Sequence, residues 1–171
     1  MEFTDNEKQE IAQLRTRYPD ARSLVLPLLW MIQKREGWVA EDAVQLIADE
    51  LQIPPIWVEE ARTWYSMFNT QKKGKYLIEV CQNASCAMFG SGEIISHICK
   101  KLNIRVGETT KDGLFTLQAA ECLGSCGTGP VMQIGDVCYD LLTTEKVDQI
   151  LEDLRNGKIH DQQPLTFPVY Q

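Results

Sequence analysis

Four cysteines stand in two close pairs, Cys81 with Cys86 in CQNASC and Cys122 with Cys126 in ECLGSCGTGP. The pattern is C-x4-C, then thirty-five residues, then C-x3-C. A structural zinc ion takes four tetrahedral ligands, usually from tighter C-x2-C knuckles. A 2Fe–2S cluster also takes four thiolates, but each pair must grip a different iron, which suits wider loops. A dithiol redox centre asks for C-x-x-C at a helix start, and none is present. The spacing favours iron–sulfur chemistry and leaves zinc, or an incidental or disulfide arrangement, open.

The loop around the second pair has a matching composition. Four thiolates and an oxidised 2Fe–2S core carry net negative charge, which is costly to bury without donors around it. Gly124, Gly127 and Gly129 allow turns that aim backbone N–H groups at sulfur. Ser125 and Thr128 add hydroxyl donors. The remaining thiols and imidazoles have plainer readings. Cys99 falls on the apolar stripe of a helix and Cys138 in a short strand, both as packed thiols. His97 stands one helical turn from Glu93 on a polar face and reads as solvated, and His160 lies in the tail. No nucleophile–base pair, Walker loop or dinucleotide fingerprint can be assembled, so the chain reads as an electron carrier and not as a catalyst by itself.

The positioning elements follow from periodicity. KYLIEVC reads as a buried strand ending on Cys81, and Leu114 to Ala119 as a second strand leading to Cys122. Between them Gly92 to Leu102 reads as a helix with Ile95, Ile98, Cys99 and Leu102 inward. VMQIGDVCY gives a hairpin around Gly135-Asp136. A last helix opens at Thr143 or Thr144, buries Val147, Ile150, Leu151 and Leu154, and stops at Gly157. The order β-α-β-β-β-α predicts a small α/β sandwich of thioredoxin-like type, with loops at one sheet edge converging on the thiols. Ahead of it come helices over 5–17, from about Ser23 to Glu36 with Pro27 near its start, from Glu41, and from Pro54-Pro55. Trp57, Ala61, Trp64, Tyr65 and Phe68 line one side of the last of these, read first as core between helices, with a partner-protein surface as the alternative. The expected domains are a small all-α helical bundle over 1–72, a thioredoxin-like 2Fe–2S domain over 73–158 and an irregular tail over 159–171.

Composition excludes other classes. The chain of 171 residues has 44% apolar and 24% charged residues, as soluble globular proteins do. A net charge of −7 without a basic stripe argues against nucleic acid. No apolar run approaches a membrane span, and MEFTDNEKQEIAQL lacks the basic start of a signal peptide. A reducing cytoplasm is the expectation, where six cysteines suggest metal or redox chemistry before disulfides.

CQNASC followed by LNIRVGETTKDGLFTLQAAECLGSCGTGPVMQIGDVCYDLLT resembles the thioredoxin-like 2Fe–2S subunit of bacterial NADH:quinone oxidoreductase, respiratory complex I. The likeness runs from roughly Asp20 to Lys158 and includes QKREGWVAEDAVQLIADEL and WYSMF. The resemblance implies Cys81 with Cys86 on one iron and Cys122 with Cys126 on the other. It implies a heterodimer with a larger flavoprotein subunit that binds FMN and NADH, within a respiratory complex whose hydrophilic arm is peripheral to the inner membrane. The 2Fe–2S cluster would exchange single electrons with that FMN, as a side acceptor. Related small subunits serve NAD-dependent formate dehydrogenases and NAD-linked or bifurcating hydrogenases. A zinc-stapled interaction module is the reading from another class. The helical extension argues against a free-standing ferredoxin. Two positions depart from the family: in VEEARTWY, Glu60 stands where a glycine is common and Arg62 where an apolar residue is common. The family's fold also predicts a cis bond at Gly129-Pro130, and the tail DQQPLTFPVYQ, past the family's usual end, is expected to offer an additional contact.

Overall fold

The computed structural model describes residues 1–158. The readings placed on His160 and on the tail over 159–171 lie outside the described residues. The described residues divide into two compact units, Met1–Lys72 and a second that begins at Lys73.

The first unit is helical. Helix α1, Asp5–Arg15, starts at a capping box in which Thr4 accepts from the Glu7 amide and Glu7 reaches back to Thr4. A 3-10 turn, Ala21–Leu24, leads into α2, Val25–Glu36. Pro27 occupies the first turn of α2, where an amide has no partner to lose. Gly37 closes α2 at φ 80°, a left-handed conformation that glycine adopts without strain. Helices α3, Glu41–Leu51, and α4, Pro55–Trp64, follow. Leu28, Leu29, Ile32, Val39, Ala43, Ile47 and Val58 are fully buried among them.

The aromatic stripe of α4 is not core, contrary to the sequence expectation. Trp57, Trp64 and Tyr65 are 37%, 81% and 40% exposed. The buried line of α4 is instead Val58 and Arg62, four residues apart on one face, which turns the aromatic positions outward. Phe68 alone of the aromatic set is buried, edge-on to Trp30 at 5.5 Å. Arg62 lies inside because Glu59 holds its Nε and Nη2 at 2.8 Å each and the Val39 carbonyl accepts from Nη1 at 3.1 Å. Glu60 stays on the surface, 3.2 Å from Arg22.

The second unit is built on a four-stranded sheet of order β2-β1-β3-β4. Its strands are β1, Tyr76–Cys81, β2, Phe115–Ala120, β3, Met132–Ile134, and β4, Val137–Tyr139. β1 and β2 are parallel, and β3 runs antiparallel to both β1 and β4. An extra short helix, α5, Ala84–Met88, interrupts the loop after β1. Helices α6, Ser91–Leu102, and α7, Thr144–Arg155, connect and complete the unit, as expected. The Gly129-Pro130 bond is cis.

Alternation along the strands sorts the side chains. Ile78, Val80, Phe115, Leu117, Met132 and Ile134 meet Ile94, Ile98 and Leu102 of α6 and Val147, Ile150, Leu151 and Leu154 of α7 in one core. Ile95 and Cys99 pack against this core from a partly buried position. His97 is not simply solvated: its Nε2 lies 2.7 Å from Asp148 and ties α6 to α7.

The topology explains why the thiol loops meet. β1 and β2 pair in register from Tyr76 with Phe115 to Cys81 with Ala120. Both strands therefore end level at the same sheet edge. Cys81 closes one strand, and Cys122 comes two residues after the other.

Candidate metal centre

Cys81 and Cys86 form the inner half of the site, 3% and 2% exposed. Cys81 is tied down by its amide, which donates to the Val131 carbonyl at 3.0 Å. Cys86 sits in α5, whose first amide, that of Ala84, donates to the Asn83 side chain at 2.8 Å. The two thiols hydrogen-bond each other and, with Val131, form a small buried cluster. Burial opposes ionisation of Cys81, but amide bonds from Asn83 and Leu123 outweigh it and hold the thiol below its ordinary pKa. Burial, followed by neighbouring Cys81, pushes Cys86 up, although the Val131 amide reaches its sulfur.

Cys122 and Cys126 form the outer half, and both are exposed. Gly124, in the left-handed region at φ 76°, points its amide at Cys122 Sγ from 3.4 Å. The charge of Cys122 raises the pKa of Cys126, which also senses Cys81. The halves are stitched together. The Cys81 thiol donates to the Glu121 carbonyl at 3.6 Å, and the Ser85 hydroxyl donates to the Cys126 carbonyl at 2.9 Å.

The other loop residues expected as donors make the following contacts. The hydroxyls of Ser125 and Thr128 bond each other at 2.7 Å. Gly127 lies in the exposed 3-10 turn Cys126–Thr128. Gly129 serves close approach: a Cβ there would lie 3.1 Å from the Phe89 ring and 3.4 Å from Cys86 Sγ. The amides that face sulfur besides that of Gly124 belong to Asn83, Leu123 and Val131. None of these three is legible in the sequence, because amide direction depends on loop dihedrals and not on residue type. Cys138 packs beside the inner thiols and is partly buried, with its pKa raised by burial and then by Asp140.

Among the described residues no three His, Cys, Asp or Glu side chains are grouped closely enough to hold a metal ion. The thiols come as two pairs that sense each other's charge, with amides aimed at the sulfurs. That donor set suits a binuclear cluster with two thiolates per iron.

Comparison with known proteins agrees with this chemistry. The family model for thioredoxin-like 2Fe-2S ferredoxin matches residues 11–155. An NADH-quinone oxidoreductase subunit of Rhizobium meliloti is 39% identical over 148 residues, 86% of this chain and 88% of that protein. NADH-quinone oxidoreductase subunit 2 of Thermus thermophilus is 35% identical over 161 residues, 92% of this chain and 89% of that protein. The structure of an NAD+-reducing NiFe hydrogenase in its H2-reduced state superposes with a TM-score of 0.70 at 19% identity, over 85% of this chain and 24% of that one. This last likeness concerns the fold, and the chain spans about a quarter of the hydrogenase chain it matches. With half-sites of paired thiols at the ends of parallel strands and a family match across most of its length, the chain belongs to the thioredoxin-like 2Fe-2S ferredoxin family, whose single 2Fe–2S cluster is its cofactor.

Proposed function

We propose that this chain is the small electron-transfer subunit of an NADH:quinone oxidoreductase, paired with a flavoprotein subunit that binds FMN and NADH. The 2Fe–2S cluster supplies a one-electron store beside a flavin that receives electrons in pairs. Cys81 and Cys86 ligate one iron, and Cys122 and Cys126 the other. The amides of Asn83, Leu123, Val131 and Gly124 offset the negative charge of the sulfurs. Val131 and the buried inner thiols keep water from one side of the site.

The observation that carries this reading is the split of the thiols into a buried and an exposed pair at one sheet edge. The exposed pair gives a partner access to the centre. Met88 and Phe89, 88% and 58% exposed, sit on the loop of Cys86. Leu141, also exposed, donates its amide to the Thr128 carbonyl of the Cys126 loop. Apolar side chains grouped at a redox edge support a protein partner there. The names borne by relatives in Rhizobium and Thermus support an NADH-quinone oxidoreductase. Among the described residues no helix is long and apolar enough to cross a membrane, and we place the chain in the hydrophilic arm, on the cytoplasmic side.

Anaerobic purification of the full chain tests the cluster. Two irons and two labile sulfides per chain, with a binuclear EPR signal on reduction, are expected. One zinc and no sulfide would end the reading. Copurification from the native host tests the partner, with a flavin-bearing, NADH-oxidising subunit as the expected companion.

A further inference from the structure

Ser85 occupies a position no ligand role explains. It sits between the amide that opens α5 and Cys86, and it is only partly buried. Its hydroxyl crosses to the other thiol loop and donates to the carbonyl of Cys126 at 2.9 Å. That bond joins the residue next to one buried thiol to the backbone of an exposed one, forty-one positions away. A second contact runs parallel to it. Gly129 lies so close to Cys86 that an added Cβ would meet its Sγ at 3.4 Å and its Cα at 3.5 Å. Two further bonds link Cys81 to the outer loop, from the Leu123 amide and to the Glu121 carbonyl, and both use the Cys81 sulfur.

We infer that Ser85 is a positioning residue that clamps the Cys86 loop to the Cys126 loop and so sets the separation of the two half-sites. This rests on the proposal that the four thiols hold a two-iron cluster. The inner pair is anchored by the sheet through Cys81 and Val131. The outer pair sits on an exposed loop beyond the sheet, and its position relative to Cys86 depends on what ties the loops together. A hydroxyl-to-carbonyl bond is suited to that work because it constrains the backbone of Cys126 without using either sulfur. Opening of the loop breaks the bond, so its loss raises the population of open forms that expose the site.

The test is Ser85→Ala and Ser85→Thr in the full chain, reconstituted anaerobically with iron and sulfide. S85A is expected to keep two irons and two sulfides per chain. Its iron is expected to pass to an added ferrous chelator about five-fold faster than in the unaltered protein, equivalent to the roughly 1 kcal/mol of one net hydrogen bond. The line shape of its reduced EPR spectrum is expected to change, since the angle between half-sites is no longer held. S85T, which keeps the hydroxyl, is expected to restore both. Unchanged chelation rate and spectrum in S85A would overturn the clamp, as would failure of S85T to restore them. An unaltered protein that takes up no sulfide would instead overturn the cluster assignment beneath it.

Discussion

Replacement of Glu59 by alanine isolates the buried cation of the helical unit. Arg62 is 9% exposed, and its guanidinium has two partners, the Glu59 carboxylate in a two-pronged contact at 2.8 Å and the Val39 carbonyl at 3.1 Å. Without Glu59 the charge stays inside with a single neutral acceptor. Breaking a fully buried pair costs about 3–5 kcal/mol. Here the carboxylate side chain is 35% exposed and Glu41 also attracts Arg62, so the cost falls to about 1–2 kcal/mol. For a unit of this size that corresponds to a Tm lower by about 4–16 °C. The assay is well isolated, because all four tryptophans, Trp30, Trp38, Trp57 and Trp64, belong to Met1–Lys72. Tryptophan fluorescence, excited where tyrosine does not absorb, therefore reports on this unit, since Tyr76 and Tyr139 of the second unit do not contribute. The pH dependence has a definite sign. The bond to Arg62 holds the Glu59 carboxyl below its ordinary pKa, against the opposing effect of burial. Its contribution is complete above the unfolded value of about 4.3 and disappears as pH falls through the folded one. The gap between E59A and the unaltered protein should be full at neutral pH and close in acid. Arg62→Met in the E59A background should recover most of the loss by removing the orphaned charge. A Tm for E59A within about 2 °C of the unaltered protein at neutral pH would refute the reasoning.

Two further outcomes follow from the second unit. Gly74→Ala places a Cβ 2.9 Å from the Phe115 backbone carbon and 3.1 Å from the Gly113 carbonyl, neither of which can rotate away. A loss of about 1–3 kcal/mol is expected, read as faster hydrogen exchange of the β1 and β2 amides, and unchanged protection would count against it. In protein stripped of iron and sulfide, maleimide should label Cys122 and Cys126 before Cys81 and Cys86, given their exposure. Peptide mapping that finds Cys86 labelled first would contradict the inner–outer division.

Residue types and their spacing determined a good deal here. The two close pairs of thiols proposed as ligands stand out in the sequence as C-x4-C and C-x3-C, a spacing that suits a separate grip on each of two irons. The strands and helices of the second unit follow from period-2 and period-3.6 patterning, which burial on one face imposes directly. The same reasoning failed on α4, where Trp57, Trp64 and Tyr65 are as regularly spaced as a core stripe but face outward. Periodicity identifies a face and cannot say which face is buried. That was decided by Val58 and by an arginine that only the packed structure supplies with Glu59 and the Val39 carbonyl. The site divides in the same way. The thiols proposed as ligands can be picked out by spacing, but the amides of Asn83, Leu123 and Val131 and the Ser85 bridge cannot. A backbone N–H exists at nearly every position, and only the paths of loops brought together by parallel strands determine which of them point at sulfur.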